Sequence, residues 1–371
     1  MGTALLRGPG NIQNALKAIH ETVRGTCHEI SRIAVALYDP KVGTLKTFAH
    51  SSSGEHPLDY YEVRLNDVPS LKDLAHKGTY RVIDDLAAHG GGAGVQHATA
   101  IGKLYRSSLT VPFYSGSALA GFIFFNSGIP AYFSPAPSCS LVLATELIAS
   151  LVLDTFRSVE MLNSIIRVAK GVSHYRDEET GAHLDRVANY ARLIALRLAE
   201  PYGLNDEYIG LLHLFAPLHD VGKVAIPDGI LLKPGRLDPA EFAVMKTHTT
   251  KGVEIIDNAV GTVEFVSSEQ MHMLRNIVHG HHESWDGGGY PRGLKGDGVP
   301  LEAAIVAVAD VFDALTSERP YKKAWAPEAA FALIAEETGR KFHPECARVF
   351  LEARDEVLDI RRRFADEPSP A

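Results

Sequence analysis

The segment that decides how this chain is read is His279-Gly280-His281-His282-Glu283-Ser284-Trp285-Asp286-Gly287-Gly288-Gly289-Tyr290-Pro291. A merely structural segment has little reason to concentrate paired histidines, an acid, a Trp-Asp step and a Gly-Gly-Gly-Tyr-Pro turn. The expectation is that other parts of the chain converge on it.

The chain's 371 residues suit two domains better than one core. With 46% hydrophobic and 22% charged residues, both domains can bury sizeable interiors, so disorder is not expected. The formal charge of -8 argues against a general phosphate-neutralising field while leaving room for a local basic patch, and no DNA partner is expected. Cys27, Cys139 and Cys346 are few and scattered, which suggests neither a disulfide framework nor a thiolate zinc site and fits a reducing cytoplasm. The run Leu147 to Leu153 is broken by Ser150 and ends at Asp154, so no membrane span is expected.

Ile12, Leu16, Ile19 and Val23 recur at helical spacing between Asn11 and Gly25. Short β-branched or aromatic runs follow at Ser31 to Tyr38, Thr44 to His50, Tyr60 to Leu65, Tyr80 to Ile83, Leu109 to Phe113 and Leu119 to Asn126. This predicts an α+β domain with a central antiparallel sheet over residues 1–138. The glycine-rich run from His89 to Gly94 lacks the Gly-Lys-Ser/Thr of a phosphate loop and reads as a surface loop. A linking helix is expected over 139–170, where Ile148, Val152, Thr155, Val159, Leu162, Ile166 and Ala169 step by four and three. That seam suits either a homodimer of parallel helices or packing on its own domain, and the spacing leaves both open.

Residues 171–371 read as all-α. His183, Val187, Tyr190, Ala191, Ile194 and Leu198 share a helical stripe, and further helices are expected at Leu211 to Val221, Pro239 to Asp257, Met271 to His282, Leu301 to Ser317 and Pro327 to Glu336. Candidate ligands arrive on or at the ends of these apolar helices: Glu179 and His183, His219 and Asp220, His248, His281 and His282, and Asp310. One buried histidine is ordinarily a hydrogen-bonded core residue. Five helices each supplying one or two ionisable groups point instead to metal, because burying such groups unpaired is costly. Imidazole and carboxylate without thiolate favour Fe, Mn or Ni. His219 and Asp220 together can reach two metal positions, with the short carboxylate bridging, and a metal-bridging water would yield hydroxide near neutral pH for phosphoester hydrolysis.

Several motifs occur in order: His219-Asp220-Val221-Gly222-Lys223-Val224-Ala225-Ile226-Pro227-Asp228, Leu231-Leu232-Lys233-Pro234-Gly235, His248, His281-His282-Glu283, Trp285-Asp286-Gly287 and Gly289-Tyr290-Pro291. Asp310-Val311-Phe312-Asp313-Ala314-Leu315-Thr316 and Arg319-Pro320-Tyr321-Lys322-Lys323 follow them. From about Ser173 to Val349 the chain resembles the HD-GYP family of cyclic di-GMP phosphodiesterases. The layout of residues 1–138 resembles a GAF-type regulatory domain, without a ligand motif. The resemblance implies an all-α HD-type fold, an iron or manganese centre, and cleavage of cyclic di-GMP to pGpG and then GMP. It makes His183, His219, Asp220, His248, His281, His282 and Asp310 metal ligands, with Asp220 and Lys223 catalytic. Lys223, Arg319 and Lys322 would hold substrate phosphates, and Tyr290 would bind from its turn.

Glu179 stands one turn before His183 and resembles the ligand of the family subset that holds three metals, so a trinuclear iron centre is favoured over a binuclear one. His174, His213, His272 and His279 are read as structural or exposed, Asp313 as supporting the fold or a ligand, and Glu283 as a neighbour of the ligands. Phe342-His343-Pro344 departs from the family's Phe-Asp-Pro and leaves the cap of the following helix in doubt. The expectation is a bacterial cytoplasmic enzyme with an unidentified sensory ligand or partner. Two alternatives stay open: a cyclic di-GMP receptor with little turnover, and a phosphodiesterase for another cyclic dinucleotide.

Overall fold

The computed structural model describes residues 11–54, 60–88, 103–172, 181–260, 268–318 and 323–366, with the side chains of 158–172 and 259–260 left aside. The run from His89 to Gly94 and residues His174, Glu179, Arg319 and Lys322 lie outside the described residues. The chain divides into two units, residues 1–157 with 205–207 and residues 158–204 with 208–371.

The first unit opens with α1 (Ile12–Arg24), whose Asn11 side chain accepts a hydrogen bond from the Asn14 amide as N-cap. Six strands follow, β1 (Ile30–Asp39), β2 (Thr44–Ser52), β3 (Glu62–Arg64), β4 (Arg81–Ile83), β5 (Ser107–Ser115) and β6 (Ala118–Ser127), with α2 (Pro69–Lys77) between β3 and β4. They form one antiparallel sheet in the order β3-β2-β1-β6-β5-β4. The α+β expectation holds, with a leading helix, two long strands, a variable middle, a hairpin and then a long helix. Alternation explains the packing. Ile33, Val35, Ile123 and Phe125 face α1, whereas Ala34, Ala36, Phe122 and Phe124 join Leu71 and Leu74 of α2 on the other face. With both faces covered, β6 can run Phe122-Ile123-Phe124-Phe125 without a polar break.

The long helix α3 (Cys139–Val172) sends Leu141, Ala144, Ile148 and Val152 into the α1 side of the sheet. Ile148, Val152 and Thr155, the first three residues of the expected seam, are therefore buried in their own unit. Val142, Leu143 and Leu147 are exposed. By length and composition alone, Cys139–Arg157 is long and apolar enough to cross a membrane. The sequence reading missed this stretch by stopping at Ser150 and Asp154; the buried face gives it a place in the core of the unit.

The second unit contains helices throughout: α4 (Gly181–Tyr202), α5 (Asp206–Phe215), α6 (Asp228–Leu231), α7 (Pro239–Lys246), α8 (His248–Val260), α9 (Ser268–Gly280), α10 (Leu301–Thr316), α11 (Pro327–Glu336), α12 (Pro344–Glu352) and α13 (Arg354–Arg363). The stripe from His183 to Leu198 is buried as expected. Tyr190 meets Phe312 and Phe350 edge-on at 5.5 and 5.9 Å in the core. Two expected helices are broken. Leu211 to Val221 ends as an α-helix at Phe215 and continues as short 3-10 turns, because Pro217 lacks the N–H that an α-helix would use. Pro239 to Asp257 is interrupted at Thr247, so α7 and α8 are separate helices.

Candidate metal centre

The break after Phe215 is what makes the site. It leaves His219 and Asp220 at the junction of two 3-10 turns, Ala216–Leu218 and Val221–Ala225, where adjacent side chains can turn into one cavity. The second turn lies against the start of α8. A Cβ on Gly222 would fall 1.8 Å from the His248 carbonyl oxygen and 2.5 Å from the Gly252 nitrogen, so only glycine admits this approach. The approach carries Asp220 to His248.

Seven side chains from five places in the second unit converge. Asp220, His248, His281 and His282 form one group, and His183, His219 and Asp310 a second, with ligand atoms within 4.8 Å of one another in each. Asp220 touches both: Oδ1 lies 3.1 Å from His248 Nε2 and 3.6 Å from His281 Nε2, while Oδ2 lies 3.3 Å from His219 Nε2. Asp310 Oδ1 stands 3.9 Å from His183 Nε2 and 3.7 Å from His219 Nε2. Every expected ligand within the described residues is thus brought together. His279 joins neither group, His272 is exposed, and His213 bonds through Nδ1 to the Ala188 carbonyl at 3.1 Å.

The imidazole tautomers follow from their partners. A carbonyl oxygen can only accept, so the Nδ1 of His219, facing Ala216 O at 2.8 Å, must donate. The same holds for His248 against Met245 O at 2.8 Å and His281 against Ile277 O and Val278 O at 3.2 Å. His183 Nδ1 is held by Asp313 Oδ2 at 2.7 Å. In each ring the Nε2 lone pair is directed inward. The Nε2 atoms of His248 and His281 are buried without a hydrogen bond, an arrangement that is costly unless a cation takes the lone pairs. Burial drives the pKa of His281 below its ordinary value, and burial with the neighbouring His281 drives that of His282 well below, so both rings are neutral donors. Burial opposes ionisation of Asp220, yet the charge of the neighbouring Lys223 holds its carboxyl well below the usual range. The donor set therefore suits divalent cations.

The turn after α9 is secured by Glu283, which is buried and accepts from the Arg292 and Leu294 amides at 2.8 and 2.9 Å. Its work is to tie down the glycine-rich turn, which refines the expectation that it neighbours the ligands. Gly289 is obligatory, since a Cβ there would lie 2.3 Å from the Ser284 nitrogen. So anchored, the turn stacks Tyr290 on His282 at 4.7 Å and 29°. Lys223 Nζ lies 2.7 Å from Asp220 Oδ2.

Asp313 is fully buried, bonded to Arg186 Nε at 2.6 Å and Nη2 at 2.9 Å as well as to His183. It supports a ligand, as expected. Arg186, which holds it, was missed, although an arginine within the buried stripe was the available signal. His343 caps α12, its Nδ1 accepting from the Glu345 amide at 3.2 Å, and the ring lies 4.4 Å from Trp285. The departure from Phe-Asp-Pro therefore keeps the cap.

Residues 175–346 match the family model described as HD domain. The chain is 42% identical over 226 residues to the cyclic di-GMP phosphodiesterase response regulator RpfG of Xanthomonas campestris, a match covering 61% of this chain and 56% of that protein. It is 41% identical to a cyclic di-GMP phosphodiesterase of Thermotoga maritima, covering 56% of this chain and 54% of that one. To the 3'3'-cGAMP-specific phosphodiesterase 2 of Vibrio cholerae it is 44% identical, covering 52% and 34% respectively. The chain thus spans about half the length of the first two relatives and a third of the last. Within the described residues the segment that matches the HD domain model coincides with the elements that carry the two His/Asp groups.

Proposed function

We propose that this chain is a metal-dependent phosphodiesterase that hydrolyses cyclic di-GMP to pGpG and GMP. The observation that carries the reading is the pair of His/Asp groups meeting at Asp220, with Nε2 atoms turned inward. The names of the relatives support it.

His183, His219 and Asp310 would hold one metal ion, and His248, His281 and His282 a second, with Asp220 bridging. Glu179 would add a third. Nitrogen and oxygen donors without thiolate favour iron, with manganese as the alternative. Bound there, the ions would supply Lewis-acid charge to phosphate oxygens and acidify water for attack on phosphorus. Asp220 spans the two groups and stays ionised. Lys223, paired with Asp220 Oδ2, places a cation where phosphate charge develops. Tyr290 offers an aromatic face to the nucleotide, and Arg319 and Lys322 would pair with its phosphates.

Residues 1–138 would form the GAF-like regulatory domain, 139–170 the linking helix and 171–371 the catalytic domain. The sensory ligand would act through the first, and two copies would pair through the part of the linking helix beyond Thr155, since Ile148, Val152 and Thr155 are buried in their own unit. Three free cysteines, two of them buried, support a cytoplasmic setting. A second reading, another cyclic dinucleotide as substrate, is favoured by the Vibrio cholerae relative named for 3'3'-cGAMP.

Anaerobically purified protein, assayed for metals and for hydrolysis of both dinucleotides, tests the proposal. Two or three metals per chain and multiple turnover are expected, with three supporting Glu179 as a ligand. Hydrolysis surviving full metal removal would refute the mechanism, and binding without product would favour a receptor.

A further inference from the structure

Helix α7, like the one-turn α6, has no buried residue. It is fastened by polar contacts at its start: Asp238 and Glu241 form a reciprocal capping box, and Lys233 Nζ donates to Glu241 Oε1 at 2.7 Å. Yet it carries Phe242, 46% exposed, which is more uncovered aromatic surface than a core anchor would leave. The Phe242 ring meets Tyr290 edge-on at 6.2 Å and 82°, and Tyr290 in turn stacks on His282. Lys246, one turn after Phe242 on the same face, places Nζ 5.4 Å from the Phe242 ring centre and 5.8 Å from that of Tyr290. Only Thr247 separates Lys246 from His248, so this face is fixed to the metal groups through a single residue.

We propose that Phe242 and Lys246 form the outer wall of the substrate site, Phe242 stacking on a purine base of the cyclic dinucleotide and Lys246 drawing in its negative charge. The inference rests on the phosphodiesterase reading and adds two substrate-binding residues to it. A dinucleotide whose phosphate sits at the Asp220 groups projects its bases away from them. The aromatic surface leading outward from that point is Tyr290 and then Phe242. Stacking tolerates any base, because every base has a flat π-face, while an ammonium poised over the rings serves an anionic ligand.

The test compares wild-type enzyme with Phe242→Ala, Phe242→Leu, Phe242→Tyr and Lys246→Met. It follows cyclic di-GMP hydrolysis, hydrolysis of bis(p-nitrophenyl) phosphate, which has no purine, and metal content. Phe242→Ala should raise KM for cyclic di-GMP about tenfold, leaving kcat, the purine-free reaction and bound metal unchanged. Tyrosine should restore KM and leucine should not, and Lys246→Met should raise KM by a smaller factor that shrinks in high salt. An unchanged KM, restoration by leucine, or parallel loss on both substrates would overturn the platform while leaving the phosphodiesterase reading intact. If wild-type enzyme cleaves bis(p-nitrophenyl) phosphate but neither binds nor cleaves a cyclic dinucleotide, that reading falls and the platform with it.

Discussion

His20 in the sheet unit and His281 in the helical unit are both buried, and the difference between them separates a structural histidine from a ligand. His20 uses both ring nitrogens: Nδ1 lies 2.8 Å from Ser51 Oγ and Nε2 3.0 Å from the Ile30 carbonyl. His281 uses only Nδ1, and its buried Nε2 faces a carboxylate oxygen at 3.6 Å without a hydrogen bond. Burial lowers the pKa of both. What distinguishes them is therefore the second nitrogen: that of His20 is satisfied, and that of His281 is available to a cation.

The sharpest way to break this comparison is to remove each ring. His281→Ala should lower hydrolysis by about 10^3-fold, the worth of several kcal/mol of metal-derived stabilisation, and should deplete metal on elemental analysis. His20→Ala should leave metal content and turnover unchanged; metal loss there would end the distinction. A weaker effect is expected one bond further out. Asp313→Asn alters the group that orients His183, and metal affinity should fall about 10- to 100-fold in a competitive chelator titration. An unchanged affinity would show that His183 needs no orienting partner.

The stability cost of His20→Ala should be about 1–3 kcal/mol by urea denaturation, the usual consequence of stranding its buried partners. Smallest is the cap at His343, whose loss in His343→Ala should cost about 1 kcal/mol. Burial holds the pKa of His343 below the ordinary 6.5, so the unfolded chain takes up the proton first. The cap's contribution is therefore full above that pH and declines as pH falls. The difference in Tm between wild type and His343→Ala should shrink from pH 7.5 to pH 5.5, and a constant difference would refute the neutral-acceptor cap.

Much of the site was legible because ionisable residues sat in apolar helical runs, where burial unpaired is expensive. Asp310 at the end of Ile305-Val306-Ala307-Val308-Ala309 is such a case, and so is His219 after Ala216-Pro217-Leu218. Strand positions were legible from alternation. Less was visible where one local rule concealed another. Pro217 broke a helix whose apolar spacing continued past it, and the interruption at Thr247 left no spacing signal at all. Phe242 escaped notice because a phenylalanine on a helix is ordinarily core, and only its exposure beside Tyr290 gives it another meaning. Cys139–Arg157 was dismissed for two polar residues that fall on or near the exposed side of α3.

By itself the sequence determined which elements form and which chemical groups they carry, because hydrophobic period, caps and prolines act over a few residues. It also determined that imidazoles and carboxylates, without thiolates, were the available donors. Only the tertiary structure decided which nitrogen of each histidine is left over, since that depends on carbonyls and carboxylates brought up by packing. The same is true of Asp220 reaching both groups, which requires the Gly222 approach to α8. In the opening segment, the fold divided the work between His281 and His282 at the metal groups and a turn, tied by Glu283, that carries Tyr290 toward Phe242.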